Sequence, residues 1–375
     1  MAEYYSNNIG RNRRHKRWSR SRKELLLLAV DIFMTILMAL LVFCSISIVV
    51  CQYISPEKSG FLSIISLGAP IIYLLDLVVM FYWIMRWRWY RASVMIAIVV
   101  MGLFYVPRYY KICFDRQYKI TYNEREYTKV MTYNVLVGKN QSLADYIAKH
   151  NPDVLCLQEI ATGGDVWKAL EEKYQTTKRE PKEGEEVSDN QILSKYPILR
   201  SGEIEGLPNK CGVWADLKIE GDTVRVIGLH LKSTSISPED TRFIEGHKYI
   251  HDKERDNKVR SITGRLVNNN ISRAKQAELV AQFLKKTPYK TIVCGDFNDV
   301  PLSYTYNTIA KNLDDTFSKM ANGFAYTYKT KYRLLRIDHI LVSPSIKVAS
   351  YEVDNKVGLS DHYPVISRIK VKTNK

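Results

Sequence analysis

Cysteine is scarce in this sequence, and its spacing excludes two kinds of cross-linked fold. Six cysteines are spread over 375 residues, and no two of them have the Cys-x-x-Cys spacing. Disulfide frameworks and structural zinc sites need more cysteines at closer spacing. We therefore expect the cysteines to be small buried apolar side chains without a redox role. Internal repeats and low-complexity tracts are also missing.

A large surplus of one charge is missing from most of the chain, although the formal net charge is +16. Residues 1–114 carry 14 basic and 5 acidic side chains, and the remainder carries 41 and 34. Nucleic-acid-binding proteins usually concentrate basic residues in a patch, so this balance permits an anionic substrate without requiring one. Hydrophobic residues make up 46% of the chain and charged residues 25%, which indicates a folded protein of two or three units.

Long hydrophobic runs occur only near the amino terminus. The runs 25–51 and 61–85 are long enough for a membrane span, which needs about 20 apolar residues, and the run 92–106 is shorter. A secretory signal has a shorter apolar region and a cleavage site with small residues, so we predict that the first run is a permanent span. Asp31 and Asp76 lie within the first two runs. They form either an intramembrane polar site or a structural contact.

The positions of basic residues predict the orientation of these spans. A basic segment precedes the first run, and an excess of Lys and Arg beside a span marks the cytoplasmic side. Its residues are Arg11, Arg13, Arg14, Lys16, Arg17, Arg20, Arg22 and Lys23. We predict a cytoplasmic amino terminus, so that three crossings place the carboxy-terminal domain outside the cytoplasm. If the third run lies only in the membrane interface, that domain is cytoplasmic.

From about residue 127 the pattern changes to short apolar strands that alternate with amphipathic helices, which predicts an α/β domain. The predicted strands are 129–135, 154–157, 191–193, 213–219, 223–229, 291–294, 337–342 and 365–371. The clearest helices are 142–149 and 273–285, because apolar residues recur on one face of each. We predict a basic tail at 1–24, a membrane region at 25–114, a linker at 115–126 and a catalytic domain at 127–375.

Polar residues follow one predicted strand after another. They are Asn134, Glu159, His230, Asp296, Asn298, Asp338, Asp361 and His362. Each one alone has an ordinary explanation, because such residues often cap turns or face solvent. Side chains at the ends of rigid strands can also converge on one cleft. The complete set therefore indicates a catalytic site.

The motifs that carry these residues are TYNV, CLQE, GLHLKS, GDFND, IDHI and SDHYPV. In this order they resemble the endonuclease/exonuclease/phosphatase superfamily, also called deoxyribonuclease-I-like, over residues 127–371. The resemblance implies a four-layered α/β sandwich, in which two packed β-sheets lie between helices. It also implies Mg²⁺-dependent cleavage of phosphate esters, with Mn²⁺ as the alternative ion.

The resemblance also implies a role for each residue. Glu159 is the main metal ligand, with Asn134 as close support and Asp361 as a second carboxylate. A divalent ion offsets the charge of a phosphate ester in the transition state, and Mg²⁺ prefers such oxygen ligands. By the same resemblance, Asp296 is the base that activates the attacking water, and Asn298 holds that water or the phosphate. His362, paired with Asp338, contacts the phosphate. His230 is the acid that protonates the leaving group.

Two stretches depart from the family pattern or have no counterpart in it. Asp189 and Gln191 occupy places that are usually small in the family, so a substrate contact cannot be transferred to this strand. A long polar segment separates His230 from the helix predicted at 273–285. It is either a lid or substrate loop, with His247, His251 and Arg273 as candidate contacts, or a solvated surface.

Three classes of function stay open on the sequence. The first is a nuclease, and the second is a lipid-directed phosphodiesterase or phosphatase of the sphingomyelinase or phosphoinositide-phosphatase kind, which a membrane anchor favours. The third is an inactive binding module, which the complete polar set disfavours. A nuclease needs a basic groove with stacking aromatics. The candidate residues for such a groove, which otherwise form a surface hairpin, are Tyr304, Tyr306, Tyr326, Tyr328, Lys329, Lys331, Tyr332 and Arg333.

Overall fold

The computed structural model describes residues 22–111, 126–138, 140–177, 188–208, 211–234, 239–240, 243, 252–330 and 333–372. Residues 1–21 of the predicted tail, nearly all of the predicted linker, Cys113, His247, His251, Lys331 and Tyr332 lie outside these ranges. Among the described cysteines, Cys51, Cys156 and Cys294 are buried, Cys44 and Cys211 are partly exposed, and none forms a disulfide.

The amino-terminal region is a bundle of apolar helices. The helices are α1 (Arg22–Cys51), α2 (Gly60–Ile65), α3 (Ala69–Met85) and α4 (Trp89–Leu103), with 3₁₀ turns at Ser66–Gly68 and Val106–Arg108. Three stretches are long and apolar enough to cross a membrane, namely Arg22–Cys51, Gly60–Met85 and Trp89–Arg108. The third stretch is longer than the run predicted at 92–106, because the helix begins at the polar turn before the run.

Both carboxylates of the apolar runs have partners inside this bundle. Asp31 accepts hydrogen bonds from Nε and Nη2 of Arg86 at 3.0 and 2.9 Å, and from the Tyr82 hydroxyl. Asp76 accepts a hydrogen bond of 2.6 Å from the Ser45 hydroxyl. A carboxylate is costly in an apolar environment unless it is paired. These contacts therefore join α1 to α3. They agree with the second of the two roles considered for Asp31 and Asp76, a structural contact.

The second part of the chain contains two six-stranded sheets. The strands are β1 (Tyr110–Lys111), β2 (Thr128–Val137), β3 (Val154–Ala161), β4 (Gln175–Thr176), β5 (Ser188–Ser194), β6 (Ile198–Glu203), β7 (Gly212–Ile219), β8 (Asp222–His230), β9 (Lys290–Asp296), β10 (Asp314–Asp315), β11 (Gly323–Phe324), β12 (Asp338–Val342), β13 (Lys347–Val353) and β14 (Val365–Lys370). One sheet has the order β13-β14-β2-β3-β5-β4 and the other β10-β12-β9-β8-β7-β6. The central pairs β2/β3 and β8/β9 are parallel. The two strands of each pair therefore have their carboxyl ends at the same edge of their sheet.

Helices cover the outer face of each sheet. They are α5 (Ser142–His150) and α6 (Asp165–Glu171) on one sheet, and α7 (Asp252–Lys285) and α8 (Tyr304–Ala310) on the other. A short helix, α9 (Thr316–Met320), instead contributes Phe317 to the core between the sheets. Strand β3 shows how alternation builds the layers, since successive side chains point to opposite faces. Val154 and Cys156 join the core between the sheets, while Leu155 and Leu157 pack with Trp167 of α6. A third core lies between the second sheet and helices α7 and α8. The predicted four-layered sandwich is confirmed.

Helix α7 differs most from the sequence prediction, because it begins at Asp252 and not near residue 273. Its 34 residues span about 51 Å at 1.5 Å per residue. The first half is too polar for an apolar stripe to be recognised, so tertiary contacts hold it instead. Ile262 is buried, and Asp240 pairs with Lys258 at 2.9 Å and with Arg265. Most of the described segment that was expected to be a lid or solvated loop is therefore helix.

The apolar bundle docks on the α/β domain through the ends of its helices. Ile48, Ala69 and Tyr109 form a buried cluster with Leu302 of the loop after β9. Arg108 donates from Nη1 to the side-chain oxygen of Gln52 at 2.7 Å and to the Pro301 carbonyl at 3.1 Å. Strand β1 pairs with β11 directly after the third apolar stretch. All these contacts lie at the end of the bundle opposite the turn between α3 and α4.

A buried arginine links the docked bundle to the second sheet. Arg336 is fully buried and donates to Asp315 at 2.9 Å, to the Arg108 carbonyl at 2.9 Å and to Nδ1 of His339 at 3.0 Å. Its guanidinium carbon lies 4.3 Å from the centre of the Phe317 ring. Removal of one partner from a buried ion pair leaves the other charge without compensation.

We therefore expect Arg336→Met to lower the free energy of unfolding by about 3–5 kcal/mol, the cost of breaking a buried pair. Urea unfolding of the full chain in detergent micelles, followed by near-ultraviolet circular dichroism, measures this change. Arg333→Met is the matched control because Arg333 is exposed and has no ion pair among the described residues. Equal stability of the two variants would contradict the prediction.

Candidate active site

The two parallel strand pairs bring polar residues together between the sheets. Asn134 and Glu159 lie near the carboxyl ends of β2 and β3, and His230 and Asp296 end β8 and β9. Carboxyl ends of neighbouring parallel strands are where α/β folds collect their ligands. The register pairs His230 with Asp296 in one sheet, and Asn134 with Gln158, next to Glu159, in the other.

One amide joins the two central carboxylates. Nδ2 of Asn134 donates to Oε1 of Glu159 at 3.0 Å and to Oδ2 of Asp296 at 3.2 Å. The Asn134 side-chain oxygen accepts from the Leu136 backbone NH at 3.2 Å. Asn134 therefore holds Glu159 and Asp296 in place through its nitrogen. Its direct binding to a metal ion, which requires its oxygen, stays a prediction.

Asp296 and Asn298 form a rigid unit. Asp296 is 1% exposed and accepts hydrogen bonds from the backbone NH of Asn298 at 2.8 Å and from its Nδ2 at 3.1 Å. The same Nδ2 donates to the Leu231 carbonyl at 3.0 Å, which ties the loop to the strand that carries His230. This network fixes the orientation of the Asp296 carboxylate.

The two histidines face the same carboxylate oxygen of Asp296. His362 contacts Oδ2 of Asp338 through Nδ1 at 2.9 Å, and its Nε2 lies 3.7 Å from Oδ2 of Asp296. Nε2 of His230 lies 3.4 Å from Oε1 of Glu159 and 4.0 Å from the same Asp296 oxygen. His362 is buried, whereas 27% of the His230 side chain is exposed. Both ring nitrogens therefore point to one region beside Asp296.

Burial and nearby charge act in opposite directions on the His362 ring. Burial lowers its pKa, but the carboxylates of Asp338 and Asp296 outweigh burial and raise it well above the usual range. Burial raises the pKa of Asp338, and the adjacent imidazolium opposes that shift. We infer a charged His362 ring whose orientation is set by Asp338.

Asp361 reaches the site through Ser360. The Ser360 hydroxyl donates to the Asn134 carbonyl at 2.7 Å and lies 3.2 Å from Oδ1 of Asp361. The amino group of Lys329 donates to the Ser360 carbonyl, and the Lys329 backbone NH donates to the Asp361 carbonyl at 2.9 Å. These contacts place the backbone of Asp361 next to β2, where its carboxylate is among the charges that raise the pKa of the His362 ring.

Backbone strain marks two residues of the site. Glu159 has a φ of +55° and Asn298 a φ of +52°. Left-handed backbone is uncommon for residues other than glycine, and it is concentrated at functional sites. Gly295, directly before Asp296, has a φ of +140°, and a Cβ there would lie 1.9 Å from the Leu229 carbonyl oxygen. Only glycine allows β9 to approach β8 this closely.

The charge of the site fits a divalent cation. Four carboxylates, those of Glu159, Asp296, Asp338 and Asp361, surround two imidazoles, and an anionic phosphate would be repelled without an added positive charge. Glu159 is more accessible than Asp296 and Asp338, because 30% of its side chain is exposed and theirs are buried.

A second group of possible metal ligands lies close to Glu159. One ligand atom each from Asp296, Asp338 and His362 lies within 4.8 Å of the other two. These side chains are almost completely buried, and both nitrogens of His362 already face carboxylates. A hydrated, oxygen-seeking ion such as Mg²⁺ is better served by the accessible Glu159. The residues present therefore fit a metal ion that is held mainly through Glu159.

Three contributors to the site had no catalytic or metal-binding role in the sequence prediction. The Tyr328 ring lies 4.9 Å from the His362 ring, and the two residues form an isolated β-bridge. Burial, together with the charges of Asp361 and Asp296, raises the pKa of the Tyr328 phenol, so it stays protonated. Ser360 and Thr327, which accepts from the Asp338 backbone NH at 3.0 Å, hold the loop positions. Ser360 lies within the SDHYPV motif and Tyr328 was a candidate for the aromatic groove, whereas nothing in the local sequence distinguishes Thr327.

Three candidate substrate contacts have partners within the protein. Arg273 is 1% exposed, and its Nε and Nη1 donate to Asp299 at 3.3 Å and to the Lys232 carbonyl at 2.6 Å. It therefore holds the loop after Asn298 and does not face a substrate. Tyr306 is 3% exposed and donates to Asp315, so it cannot stack on a base. Tyr304 donates to Glu278 at 2.8 Å.

A family model for the endonuclease/exonuclease/phosphatase family matches residues 131–362. A second model, which describes a domain of unknown function, matches residues 31–109. No curated protein sequence matches the chain.

Several solved structures are similar to the α/β domain. An endonuclease/exonuclease/phosphatase from Bacteroides vulgatus is 18% identical, with a TM-score of 0.48 over 66% of this chain and 99% of that one. A mannosyl-6-phosphatase from Bacteroides thetaiotaomicron is 20% identical, with a TM-score of 0.44 over 64% and 99%. An AP endonuclease from Archaeoglobus fulgidus is 16% identical, with a TM-score of 0.46 over 64% and 98%. At these values the structures carry no argument about activity.

The family assignment depends on the family model, which covers more than half of the chain and includes each of the strand-end motifs from Asn134 to His362. Members of this family are metal-dependent phosphoesterases. The chain therefore belongs to the endonuclease/exonuclease/phosphatase family and is a metal-dependent hydrolase of phosphoric esters.

Proposed function

We propose that the protein is a membrane-anchored, Mg²⁺-dependent phosphodiesterase that cleaves substrates close to the membrane surface. The observation that carries the catalytic part is the convergence of Asp296, Asn298 and the His362–Asp338 pair beside Glu159. The anchor is supported by three helical stretches that are long and apolar enough to cross a bilayer.

In this mechanism Asp296 is the general base. Its carboxylate is fixed by Asn298 and Asn134, which leaves it oriented toward a water molecule that attacks the phosphorus atom. The His362 ring donates a hydrogen bond to a phosphate oxygen from Nε2, since Nδ1 is held by Asp338. His230, whose ring is partly exposed and lies 4.0 Å from Oδ2 of Asp296, protonates the leaving oxygen.

Glu159 would hold the metal ion, supported by Asn134 and with Asp361 as a second carboxylate. A bound divalent ion polarises the phosphoryl oxygen and offsets the charge that develops on it. Hydrogen bonds from the Asn134 amide keep Glu159 and Asp296 from separating under their mutual repulsion.

The position of the site favours an ester at the membrane surface. Asn298 and Leu302 are four residues apart, so their Cα atoms are separated by at most about 14 Å. Leu302 is fully buried against Ile48 of α1, and its carbonyl accepts from Cys51. The catalytic loop is thus tied to the end of the first apolar helix, which makes phospholipid head groups the nearest substrates.

Nucleic acid is the second candidate, because aromatic and basic side chains border the site. The Tyr326 ring lies 5.6 Å from that of Tyr363, and Arg333 lies 5.8 Å from Tyr326. Such a surface can stack single-stranded bases. Tyr306 does not contribute, since it is buried.

A substrate panel tests the proposed function. The full chain in detergent micelles is assayed with Mg²⁺ on phospholipid vesicles, plasmid DNA, RNA and soluble phosphomonoesters, each with and without EDTA. We expect metal-dependent cleavage of a phosphodiester, with phospholipid ahead of nucleic acid. Cleavage of monoesters alone would contradict the proposed reaction, and full activity in EDTA would contradict its metal dependence.

We also expect the catalytic domain to lie outside the cytoplasm. Arg86, Arg88 and Arg91 lie at the end of the bundle opposite the docked domain, and basic residues mark the cytoplasmic side. Protease added to intact cells or spheroplasts should digest the carboxy-terminal domain. A carboxy-terminal reporter that is active only in the cytoplasm should stay silent, and its activity would overturn this orientation.

A further inference from the structure

A cavity of about 410 Å³ opens between the start of α1 and the start of α4. Its walls include Leu28, Asp31 and Ile32 of α1 and Arg88, Tyr90 and Arg91 of the turn and helix that follow α3. The cavity is far from the catalytic residues, because it lies at the opposite end of the bundle from the docked domain.

The charge of this cavity is positive and uncompensated. Asp31 is occupied by Arg86, whose Nε and Nη2 donate to its two oxygens at 3.0 and 2.9 Å. Neither Arg88 nor Arg91 has a carboxylate partner within 4.0 Å among the described residues. The guanidinium carbon of Arg91 lies 4.5 Å from the centre of the Trp83 ring, which fixes the position of this arginine. Two arginines are therefore available to an anion.

The depth of the cavity corresponds to a membrane surface. Asp31 and Cys51 are twenty residues apart on one helix, which is about 30 Å and equals the thickness of the hydrocarbon core. Cys51 contacts the catalytic domain through Leu302. When that end of α1 is at one surface of the bilayer, the cavity is at the level of the phosphates of the opposite leaflet.

The wall of the cavity is apolar where lipid chains would run. Ile32, which lies one residue further into the bilayer than Asp31, is 53% exposed on α1, and Tyr90 is 84% exposed beside the arginines. Aromatic side chains occur at the level of lipid head groups, and basic pockets between helices bind phosphate-bearing head groups. The amino-terminal tail is an unsuitable occupant, because residues 1–21 carry six basic residues and one acidic residue.

We propose that this cavity binds the phosphate of an anionic phospholipid in the leaflet opposite the catalytic domain. Arg88 and Arg91 hold the phosphate, and the acyl chains run past Ile32 toward the middle of the bilayer. The site depends on the membrane insertion proposed above and is independent of the hydrolase activity. It would fix the depth of the bundle in the membrane, and with it the height of the catalytic loop at the other surface.

The test uses the delipidated full chain in dodecyl maltoside micelles, with EDTA present so that no lipid is hydrolysed. Native mass spectrometry measures binding of phosphatidylglycerol, phosphatidylcholine and inorganic phosphate. We expect the chain to retain phosphatidylglycerol and to bind the other two at least about tenfold more weakly. The double variant Arg88→Gln/Arg91→Gln should bind phosphatidylglycerol about 25-fold more weakly, since each arginine near an anionic surface contributes a factor of about five.

The matched control removes two basic residues from the other end of the bundle. Lys58→Gln/Lys111→Gln should leave phosphatidylglycerol binding unchanged. An equal loss in this control would reveal unspecific charge attraction and overturn the site, as would equal binding of phosphatidylcholine or of inorganic phosphate. If the double variant does not fold, the single change Arg88→Gln at an exposed position should still weaken binding about fivefold. Unchanged binding in that variant would also overturn the proposal.

Discussion

Asp296→Asn should lower kcat for phosphodiester hydrolysis about 10³-fold, within the range that a general base contributes. Asparagine has the same shape but cannot accept the proton of the attacking water. The carboxylate is 1% exposed and is held by the backbone and side chain of Asn298, so the variant keeps the surrounding packing. Steady-state kinetics on the phosphodiester cleaved in the substrate panel measures the change, and thermal unfolding checks that the protein is folded.

The control for this variant is Asp165→Asn, which neutralises an aspartate that is 84% exposed on α6. Its kcat should equal that of the wild type. The residues around Asp296 should act as a unit, so Asp296→Asn combined with His362→Gln should cost little more than the worse single change. Multiplication of the two single effects would show that the residues act independently. Near-normal activity of both single variants would show that the assigned roles are wrong for this protein.

Glu159→Gln should remove the response to metal and lower activity at least about 100-fold, at the upper end of what damage around a metal site costs. The neutral amide holds Mg²⁺ poorly, because hard divalent ions prefer carboxylate oxygens. A bound ion stabilises the wild type by about 2.7 kcal/mol at a concentration of 100 times Kd. Thermal unfolding in a series of Mg²⁺ concentrations should therefore show a rise in Tm for the wild type and no rise for the variant.

The same experiment separates metal binding from folding. Without metal, Glu159→Gln should unfold at a temperature no lower than the wild type, because it removes one of four neighbouring negative charges. Glu205→Gln at an exposed position is the control, and its Tm should rise with Mg²⁺ as the wild type does. A normal rise in Tm for Glu159→Gln would place the ion elsewhere, with the buried group around Asp338 as the next candidate.

The sequence alone predicted the parts of the molecule that follow local rules. Strands such as β7 and β8 were recognised within one residue of their ends, since alternating apolar side chains reflect the pleat directly. The strand-end motifs indicated the family and every residue of the proposed catalytic and metal groups. The apolar runs predicted the helices of the bundle because the length of a span is set by the bilayer.

Other elements could not be predicted because their stabilising partners are distant in the chain. The first half of α7 has few apolar residues and depends on Asp240 and on contacts with α2. Arg273, expected to contact a substrate or solvent, is buried by Asp299 and the Lys232 carbonyl. Tyr306 was a candidate for stacking on bases, but helix α8 turns it into the core toward Asp315.

The sequence by itself determined which chemical groups this protein carries and that they end successive strands. Only the tertiary structure decided their mutual geometry, because the two parallel strand pairs belong to different sheets and meet only when the sheets pack face to face. The tertiary structure also decided three other features. They are the left-handed backbone of Glu159 and Asn298, the docking of Leu302 on α1 and the arginine-lined cavity beside Asp31. Each of these features needs contacts between segments far apart in the chain, and no local pattern of residues encodes such contacts.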